Sequence, residues 1–279
     1  MEEVARAFAT QRGLTFGCRA GGGAFKETFL IESAAGPMAL KILRSGHSAA
    51  RLEREIGAML RCSHPNIARV TEVVEFTHQR NPYICLVEEF LAGGTLQSRL
   101  DRGLLETTQA FELGRELISV LAHLVPLGLV HRDFKPENIM FRDQNSVLPV
   151  VVDFGIVRDL GKESVTESWF VRGPGTPLFA SPEQLNNRKE LIDWRSDQFS
   201  IGVTLTYSLF GTHPFWEPGL NDTEMVERVA RYDNPSDRFL QGVLNLGVPA
   251  LHKMVMPYPI QRFRKPSDLQ LAWTTETGA

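Results

Sequence analysis

Cysteine is scarce in this chain of 279 residues, which contains only Cys18, Cys62 and Cys85. An odd number of cysteines without close pairs argues against a zinc site or a CxxC redox motif. Disulfides are also rare in proteins that remain in the cytosol. We therefore expect three reduced, structural thiols in a cytoplasmic protein.

Long apolar runs and a strong charge excess are missing as well. The longest apolar segment, residues 117–130, is interrupted by Ser119, His123 and Pro126 and is too short to cross a bilayer. Residues 1–10 are amphipathic and acidic, and they lack the basic start and apolar stretch of a signal peptide. The formal net charge of −3 gives no reason to expect a nucleic-acid partner. These features predict a protein without membrane insertion and without nucleic acid, and they leave its oligomeric state unknown.

The composition is that of an ordinary globular protein, with 43% hydrophobic and 23% charged residues. Wholesale disorder is excluded at this hydrophobic content. The chain is long for a single core and short for two average domains. This length suits two lobes that share one cleft.

The most informative stretch is residues 131–138, which read HRDFKPEN and precede Asp153 at the end of an apolar run. A phosphoryl-transfer site needs a carboxylate to orient and deprotonate a hydroxyl, a cation near the moving group, and oxygen ligands for magnesium. Asp133, Lys135, Asn138 and Asp153 supply this set. Any one of them alone would be an ordinary polar loop residue, but the four together at this spacing indicate phosphoryl transfer.

Together with GTPLFASPE at residues 175–183, these motifs resemble the eukaryotic-type Ser/Thr protein kinases, with a likeness to bacterial members, over nearly the whole chain. The resemblance implies an α+β bilobal fold. A small antiparallel-sheet lobe would occupy residues 1–91 and a larger, mostly helical lobe residues 92–279. It also implies ATP and Mg²⁺ as cofactors and a protein serine or threonine as acceptor. Lys135 favours this class, because tyrosine kinases usually carry alanine and arginine in this loop.

The resemblance assigns roles within the catalytic loop. Asp133 would orient and deprotonate the attacking hydroxyl, and Lys135 would neutralise charge on the transferred group. Asn138 and Asp153 would hold Mg²⁺. Two acidic residues outside the loop are expected to be structural. Asp197 would hold the backbone of the catalytic loop, and Glu183 would pair with Arg262.

Strand-like segments with turn signals make up the first lobe, at residues 14–19, 27–32, 37–43, 68–76 and 83–90. The glycine run Gly21, Gly22 and Gly23 lies between the first two, where backbone N–H groups could approach a triphosphate. Lys26 stands at the third glycine position of the family motif. A glycine run alone is weak support, since it is more often a flexible hairpin.

Lys41 follows the glycine run in the sequence MALK, which resembles the strand lysine of kinases. It would pair with Glu55 on a helix predicted over residues 49–61. The alternative is an edge lysine that extends its ammonium group to solvent. The resemblance implies that backbone groups of Glu89 and Leu91, in the hinge between the lobes, would bind adenine. The side chains of Ala39 and Met140 would line the two faces of the adenine ring. Glu88 occupies the usually apolar gatekeeper position, which requires a polar network or a shift of register.

Helices are predicted in the second lobe at residues 107–125, 198–210, 223–232, 249–256 and 266–273. The activation-segment candidate, residues 155–183, is rich in hydroxyls. Phosphorylation there could order the segment through Arg132. The candidate positions are Ser164, Thr166 and Ser168, with Thr176 expected beside the substrate hydroxyl. A solvated, hydroxyl-rich loop is the alternative.

The sequence leaves two alternative functions open. One is a kinase-shaped scaffold that binds nucleotide and signals by conformation, which Lys26 and Glu88 encourage. The other is a small-molecule kinase, against which Lys135 and the GTP and SPE elements argue. The presence of all four catalytic-loop and metal residues favours a protein kinase that also phosphorylates its own activation segment.

Overall fold

The computed structural model describes residues 1–22, 26–44, 62–153 and 177–279. Several expected features lie outside these residues and are not tested by the structure. They are Gly23, the helix at residues 49–61 with Glu55, and the hydroxyls Ser164, Thr166, Ser168 and Thr176.

A five-stranded antiparallel sheet forms most of the first lobe, with strand order β1-β2-β3-β5-β4. Each strand overlaps a stretch predicted from the sequence, because β-branched and aromatic residues alternate there between turn signals. The strands are β1 (Thr15–Gly22), β2 (Lys26–Ser33), β3 (Gly36–Arg44), β4 (Val70–His78) and β5 (Asn81–Glu89).

The two faces of this sheet differ in chemistry. Thr28 pairs with Lys41 and Ala39 pairs with Glu88. Because residues two apart on a strand face the same side, this register places Lys26, Lys41 and Glu88 on one face. The opposite face is apolar and buried, and it carries Phe29, Ile31, Leu40, Ile42, Cys85 and Val87.

The apolar face is covered by an N-terminal helix, α1 (Glu2–Gln11). Val4, Phe8 and Ala9 form the buried stripe of this helix. Acidic residues in its first turn suit the positive end of the helix dipole. The amphipathic pattern of residues 1–10 is visible in the sequence, but no helix was predicted there. With one face sealed by α1, the charged face of the sheet is turned toward the second lobe.

The second lobe is mainly helical. Its helices include α2 (Leu96–Leu100), α3 (Thr107–Leu124), α4 (Pro182–Leu185), α5 (Trp194–Phe210), α6 (Asp222–Ala230), α7 (Asp237–Leu246), α8 (Pro249–Met254) and α9 (Pro266–Thr277). A short hairpin of β6 (Ile139–Phe141) and β7 (Pro149–Val151) lies between α3 and α4 in the chain. The core forms around α3, α5, α8 and α9.

A close helix contact joins α3 to the end of the chain. Trp273 of α9 packs on Gly114 so tightly that a Cβ at Gly114 would lie 2.1 Å from the indole ring. The indole N–H donates to the Phe111 carbonyl at 3.0 Å. Any larger residue at Gly114 would therefore force α3 and α9 apart.

The five helices predicted in the second lobe are present, together with the short helices α2 and α4, which were not predicted. Helix α5 begins at Trp194 rather than at residue 198, because the Asp193 carboxylate caps it by accepting from the Arg195 N–H at 2.8 Å. Helix α7 was not predicted. Its sequence contains Gly242, which lowers helix propensity but lies against the Phe210 ring.

The cysteines are free, as expected from their number and spacing. Cys85 is buried in the first lobe, where burial raises the pKa of its thiol to about 12. Cys18 is exposed on β1, so the expectation of a structural role was wrong for this residue. Among the helices in the described ranges, none has the length and apolar character needed to span a membrane.

Candidate active site

The catalytic loop is held from below by one buried carboxylate on α5. Asp197 accepts hydrogen bonds from the backbone N–H groups of His131 and Arg132, each at 2.7 Å. Arg132 has φ of 67°, a left-handed conformation that is costly for a non-glycine residue and persists only where the surroundings hold it. The role expected for Asp197 is confirmed by these two bonds.

His131 connects the catalytic loop to the segment that leads to Asp153. Its Nε2 donates to the Val152 carbonyl at 3.0 Å, and its Nδ1 accepts from the Asp133 N–H at 3.3 Å. The second bond requires an unprotonated Nδ1, so the ring is neutral. Burial lowers the pKa of His131 to about 4, which agrees with this assignment.

The side chains of Asp133, Lys135 and Asn138 contact one another within the loop. The Asn138 side-chain amide donates to the Asp133 carbonyl at 2.8 Å and to the Asp133 carboxylate at 2.9 Å. The Lys135 ammonium lies 3.2 Å from the same carboxylate. The side-chain nitrogen of Asn138 is bound to Asp133. The side-chain oxygen is therefore the atom of Asn138 that could bind a cation.

Asp153 is brought to this group by the β6–β7 hairpin. The Val152 N–H donates to the Asn138 carbonyl at 2.9 Å, so the two candidate metal ligands are joined through one backbone bond. Asp153 has φ of 63°, a strained conformation that aspartate tolerates better than most residues. The metal-binding role that the sequence predicts for Asn138 and Asp153 stays a prediction, and this backbone bond links the segments that carry them.

Two lysines from the sheet reach Asp153. The Lys41 ammonium lies 2.7 Å from its carboxylate, and Lys26 forms a second ion pair with the same oxygen. Burial alone would raise the pKa of Asp153, but the charges of Lys41 and Lys26 outweigh it and hold that pKa well below its usual range. Asp153 is therefore an anion, as a metal ligand must be.

Glu88 forms an ion pair with Lys41. Both residues are buried, with 4% of Glu88 and 7% of Lys41 exposed. Burial would lower the pKa of Lys41, but Glu88 and Asp153 outweigh it and raise that pKa above its ordinary value. The gatekeeper position of Glu88 thus needs no shift of register, because Lys41 supplies the polar partner. The alternative of Lys41 as an edge lysine directed to solvent was wrong.

The hinge after β5 is fixed to the hairpin of the second lobe. Ala92 and Gly93 donate backbone hydrogen bonds to Arg142 and Phe141 at 3.1 and 2.9 Å. The Glu89 carboxylate accepts from Arg142 at 3.2 Å and also receives the Arg69 N–H at 3.0 Å. The hinge backbone is therefore held in one position by these hydrogen bonds and is not a free linker.

A small apolar cluster lies beside this hinge. Leu91 and Met140, two of the expected adenine-lining residues, belong to it together with Ala68, Val150 and Val152. Ala39 is buried on the charged face of β3, at the position paired with Glu88.

Gly21 and Gly22 end β1 and pair with Thr28 and Glu27 of β2. A Cβ added at Gly21 would meet nothing within 4 Å, whereas at Gly22 it would come within 2.8 Å of the Arg19 side chain. Neither packing nor backbone conformation therefore requires glycine at Gly21. Its small size leaves room for another molecule to approach the backbone.

The expected pair of Glu183 and Arg262 is confirmed. Both side chains are fully buried and form a two-pronged contact at 2.7 and 3.1 Å. Ser196 also donates to Glu183 at 2.7 Å. Next to Glu183, the Gln184 side chain donates to the Arg132 carbonyl at 2.9 Å, which ties α4 to the catalytic loop.

Sequence reasoning located the catalytic loop, the strand lysine and Asp153 but missed two contacts. It treated Lys26 as a departure from the glycine motif and Glu88 as an anomaly, and it did not connect either to a partner. The strand register contains the signal, because Lys26, Lys41 and Glu88 share one face once the strands are aligned.

Comparisons with known proteins agree with this geometry. The family described as "Protein kinase domain" matches residues 18–244. A probable myosin light chain kinase of Dictyostelium discoideum is 29% identical over 265 residues, covering 92% of this chain and 82% of the relative. A probable serine/threonine-protein kinase PknB of Lactococcus lactis is 34% identical over 184 residues, covering 64% of this chain and 28% of the relative.

Two further comparisons concern a human relative and a solved structure. Human calcium/calmodulin-dependent protein kinase type IV is 29% identical over 247 residues, covering 87% of this chain and 50% of that kinase. The crystal structure of Rad53 1-466 in complex with AMP-PNP superposes with a TM-score of 0.73 at 20% identity, covering 95% of this chain and 66% of that one. The chain therefore spans half or less of the bacterial and human relatives.

The protein kinase fold consists of a sheet lobe and a helical lobe. It also has a catalytic loop, and a lysine of the sheet that lies close to an aspartate of the second lobe. The family match covers most of the chain, and the relatives include a probable bacterial serine/threonine-protein kinase and a human protein kinase. The chain belongs to the eukaryotic-type Ser/Thr protein kinases. ATP-dependent phosphorylation of serine and threonine hydroxyls is the activity that this membership supports.

Proposed function

We propose that this cleft transfers the γ-phosphoryl group of ATP to a serine or threonine of a protein substrate, with Mg²⁺ as the metal. The observation that carries the proposal is the meeting of Asp133, Lys135 and Asn138 in one loop, next to Asp153 and its lysine partner Lys41. Positioning and electrostatic stabilisation supply most of the catalysis of phosphoryl transfer, so such an arrangement is the main requirement.

The nucleotide would enter between the lobes. Adenine would lie between Ala39 and Met140, with hydrogen bonds to backbone groups of Glu89 and Leu91. The fixed hinge and the apolar cluster beside it support this placement. The phosphates would extend below Gly21, Gly22 and Gly23 toward Lys41, where backbone N–H groups and an ammonium can bind them.

The metal would be held by Asp153 and Asn138. A carboxylate oxygen and an amide oxygen are ligands that Mg²⁺ prefers, and Mg²⁺ usually binds through one or two protein groups plus phosphates and water. The two residues fit this requirement, because Asp153 is anionic and the amide nitrogen of Asn138 is engaged by Asp133. When bound, the metal would neutralise charge on the phosphates.

The chain's own residues would act on the acceptor. Asp133 would accept a hydrogen bond from the substrate hydroxyl and then take its proton, while Lys135 would stabilise the negative charge of the moving group. Asn138 holds the Asp133 carboxylate in place through the 2.9 Å hydrogen bond. Autophosphorylation would use hydroxyls of the activation segment, for which we propose Ser164, Thr166 and Ser168, with Thr176 beside the acceptor.

We further propose that residues 1–91 and 92–279 are the two lobes, that Glu55 contributes to nucleotide placement, and that the protein acts in cytoplasmic signalling.

Replacement of Asp133, the proposed general base, tests the proposal. In Asp133→Asn the side chain keeps its size but loses its charge and basicity. We expect the rate of γ-phosphate transfer to a basic protein to fall by about 10²- to 10⁴-fold. The affinity for ATP should stay within about twofold, because Asp133 faces the acceptor.

Incorporation of label from γ-³²P-ATP measures the transfer, and displacement of a fluorescent ATP analogue measures the affinity. Glu217→Gln, which changes an exposed carboxylate paired with Arg228 in the second lobe, is a matched control. Transfer by Asp133→Asn at the parent rate would overturn the assignment. A parent protein that binds ATP without transferring phosphate would indicate the scaffold instead.

A further inference from the structure

The gatekeeper carboxylate and the nucleotide lysine occupy adjacent strands of one sheet. Ala39 pairs directly with Glu88, and Lys41 pairs with Leu86. Lys41 and Glu88 are therefore diagonal neighbours on the same face, a separation that long side chains span. The strand register therefore brings the two side chains within reach of each other, and they form an ion pair.

Burial makes this contact a strong one. An unpaired carboxylate as buried as Glu88, which is 4% exposed, would be costly to leave without a counter-charge. Among the residues that the structure describes, Lys41 is the cation within ion-pair distance of Glu88. The place of the Lys41 ammonium is therefore set in part by a carboxylate that belongs to the sheet.

Lys41 also contacts Asp153, which the proposed function assigns to the metal. A metal bound to Asp153 would compete with that contact. Glu88 would then remain as the partner of Lys41, and neither β3 nor β5 would need to move. The lysine would stay beside the phosphates after the metal has bound.

We propose that Glu88 is a positioning residue, whose carboxylate holds the Lys41 ammonium from within the sheet at the place where it meets the phosphates of ATP. This inference rests on the proposed function, because it assumes that Lys41 binds nucleotide. It assigns to a strand residue a task that the family resemblance gave to Glu55, which lies outside the described residues.

Nucleotide affinity in a double-mutant cycle tests the inference. Glu88→Gln removes the charge and keeps the shape, and we expect it to weaken binding of ATP with Mg²⁺ about tenfold, as for the loss of one charge-assisted contact. Lys41→Met should weaken binding at least as much. The double variant should bind no more weakly than Lys41→Met, because Glu88 acts through Lys41.

Two further variants serve for comparison. Glu72→Gln changes a carboxylate on β4 that pairs with Arg12, and it should bind ATP like the parent. Glu55→Gln, at the residue that the family resemblance pairs with Lys41, is measured in the same way. Displacement of a fluorescent ATP analogue measures each affinity, and thermal unfolding followed by circular dichroism shows that each variant is folded.

Parent-like affinity in Glu88→Gln would overturn the inference. Additive losses in the double variant would also overturn it, since a purely structural effect of Glu88 does not depend on Lys41. If Glu88→Gln does not fold, Glu88→Asp keeps the charge but shortens the side chain, and parent-like affinity there would contradict the need for close contact. A parent chain that fails to bind ATP at all would reject the proposed function itself.

Discussion

The two sides of the proposed cleft are stabilised differently. On the side of the catalytic loop, where the acceptor would bind, buried side chains form hydrogen bonds to the loop backbone. On the side of the sheet, where the nucleotide would bind, charged side chains form ion pairs with each other. Asp197 and Gln184 bind backbone groups of His131 and Arg132. Across the cleft, Lys41 contacts both Glu88 and Asp153.

The difference follows from what each side has to do. A loop that orients a hydroxyl has to keep its geometry, and backbone bonds to buried groups are costly to break. A site that receives a metal and a triphosphate has to exchange partners, so the ion pairs of Asp153 with Lys41 and Lys26 would serve as replaceable contacts, while the buried pair of Lys41 with Glu88 would persist. The acceptor side is therefore expected to govern stability and the nucleotide side to govern ligand affinity.

The largest expected effect on stability comes from the buried pair behind the loop. Arg262→Met would leave the Glu183 carboxylate buried without its counter-charge, at a cost of about 3–5 kcal/mol in the free energy of unfolding. Urea unfolding measures this loss. Arg6→Met removes an exposed pair with Glu2 and should cost about 0–1 kcal/mol. Equal losses in the two variants would remove the distinction between buried and exposed pairs.

A smaller effect is expected at His213, a buried histidine that follows α5 and binds the backbone carbonyl of Leu178. His213 donates from Nε2 to the Leu178 carbonyl at 2.9 Å and accepts at Nδ1 from the Phe215 N–H at 3.2 Å, so its ring is neutral. Burial lowers the pKa of His213 to about 4. Below its ordinary pKa of about 6.5 the unfolded chain takes up a proton that the folded chain refuses.

The contribution of His213 to stability is thus complete above about pH 6.5 and is lost as the pH falls toward 4, by at most about 1.4 kcal/mol per pH unit. His213→Asn cannot titrate there. We expect the difference in unfolding free energy between this variant and the parent to shrink between pH 7 and pH 4.5. Ser236→Ala, which removes a buried hydroxyl bonded to Pro214, should show a difference that does not change with pH. The same pH-independence for His213→Asn would contradict a neutral buried ring.

The nucleotide side offers the smallest effect. Lys26 pairs with Asp153, and a metal bound there as proposed would have to displace it. Lys26→Met should therefore tighten Mg²⁺ binding to the nucleotide-free protein by about 1 kcal/mol, or about fivefold. Isothermal titration calorimetry measures this, with Arg19→Met, which lies near Glu27 on the same hairpin, as the control. Weaker Mg²⁺ binding in Lys26→Met would show that the lysine supports the metal rather than competing with it.

Much of this organisation was predictable from the sequence because short motifs carry it. The loop of Asp133 to Asn138 and the strand around Lys41 have patterns that fix both the local structure and the chemistry. The strands and long helices followed from apolar periodicity. The structural roles of Asp197 and Glu183 came from the family resemblance, and their hydrogen bonds confirm them.

What could not be predicted depends on tertiary contacts. The amphipathic pattern of residues 1–10 could not show that α1 packs on the apolar face of the sheet. Helix α7 is stabilised by packing of its apolar face despite Gly242. The pairing of Glu88 with Lys41 requires the alignment of two strands separated by more than forty positions, which neither motif contains. Each of these features arises from long-range packing rather than from local propensity.

Phosphoamino-acid analysis of the parent chain's products tests the central claim most directly. The protein is incubated with γ-³²P-ATP, Mg²⁺ and a generic basic protein, and the labelled protein is hydrolysed and separated. We expect label on phosphoserine and phosphothreonine, and none when Mg²⁺ is chelated. Label confined to phosphotyrosine or to a small molecule, or no transfer at all with Mg²⁺ present, would contradict it.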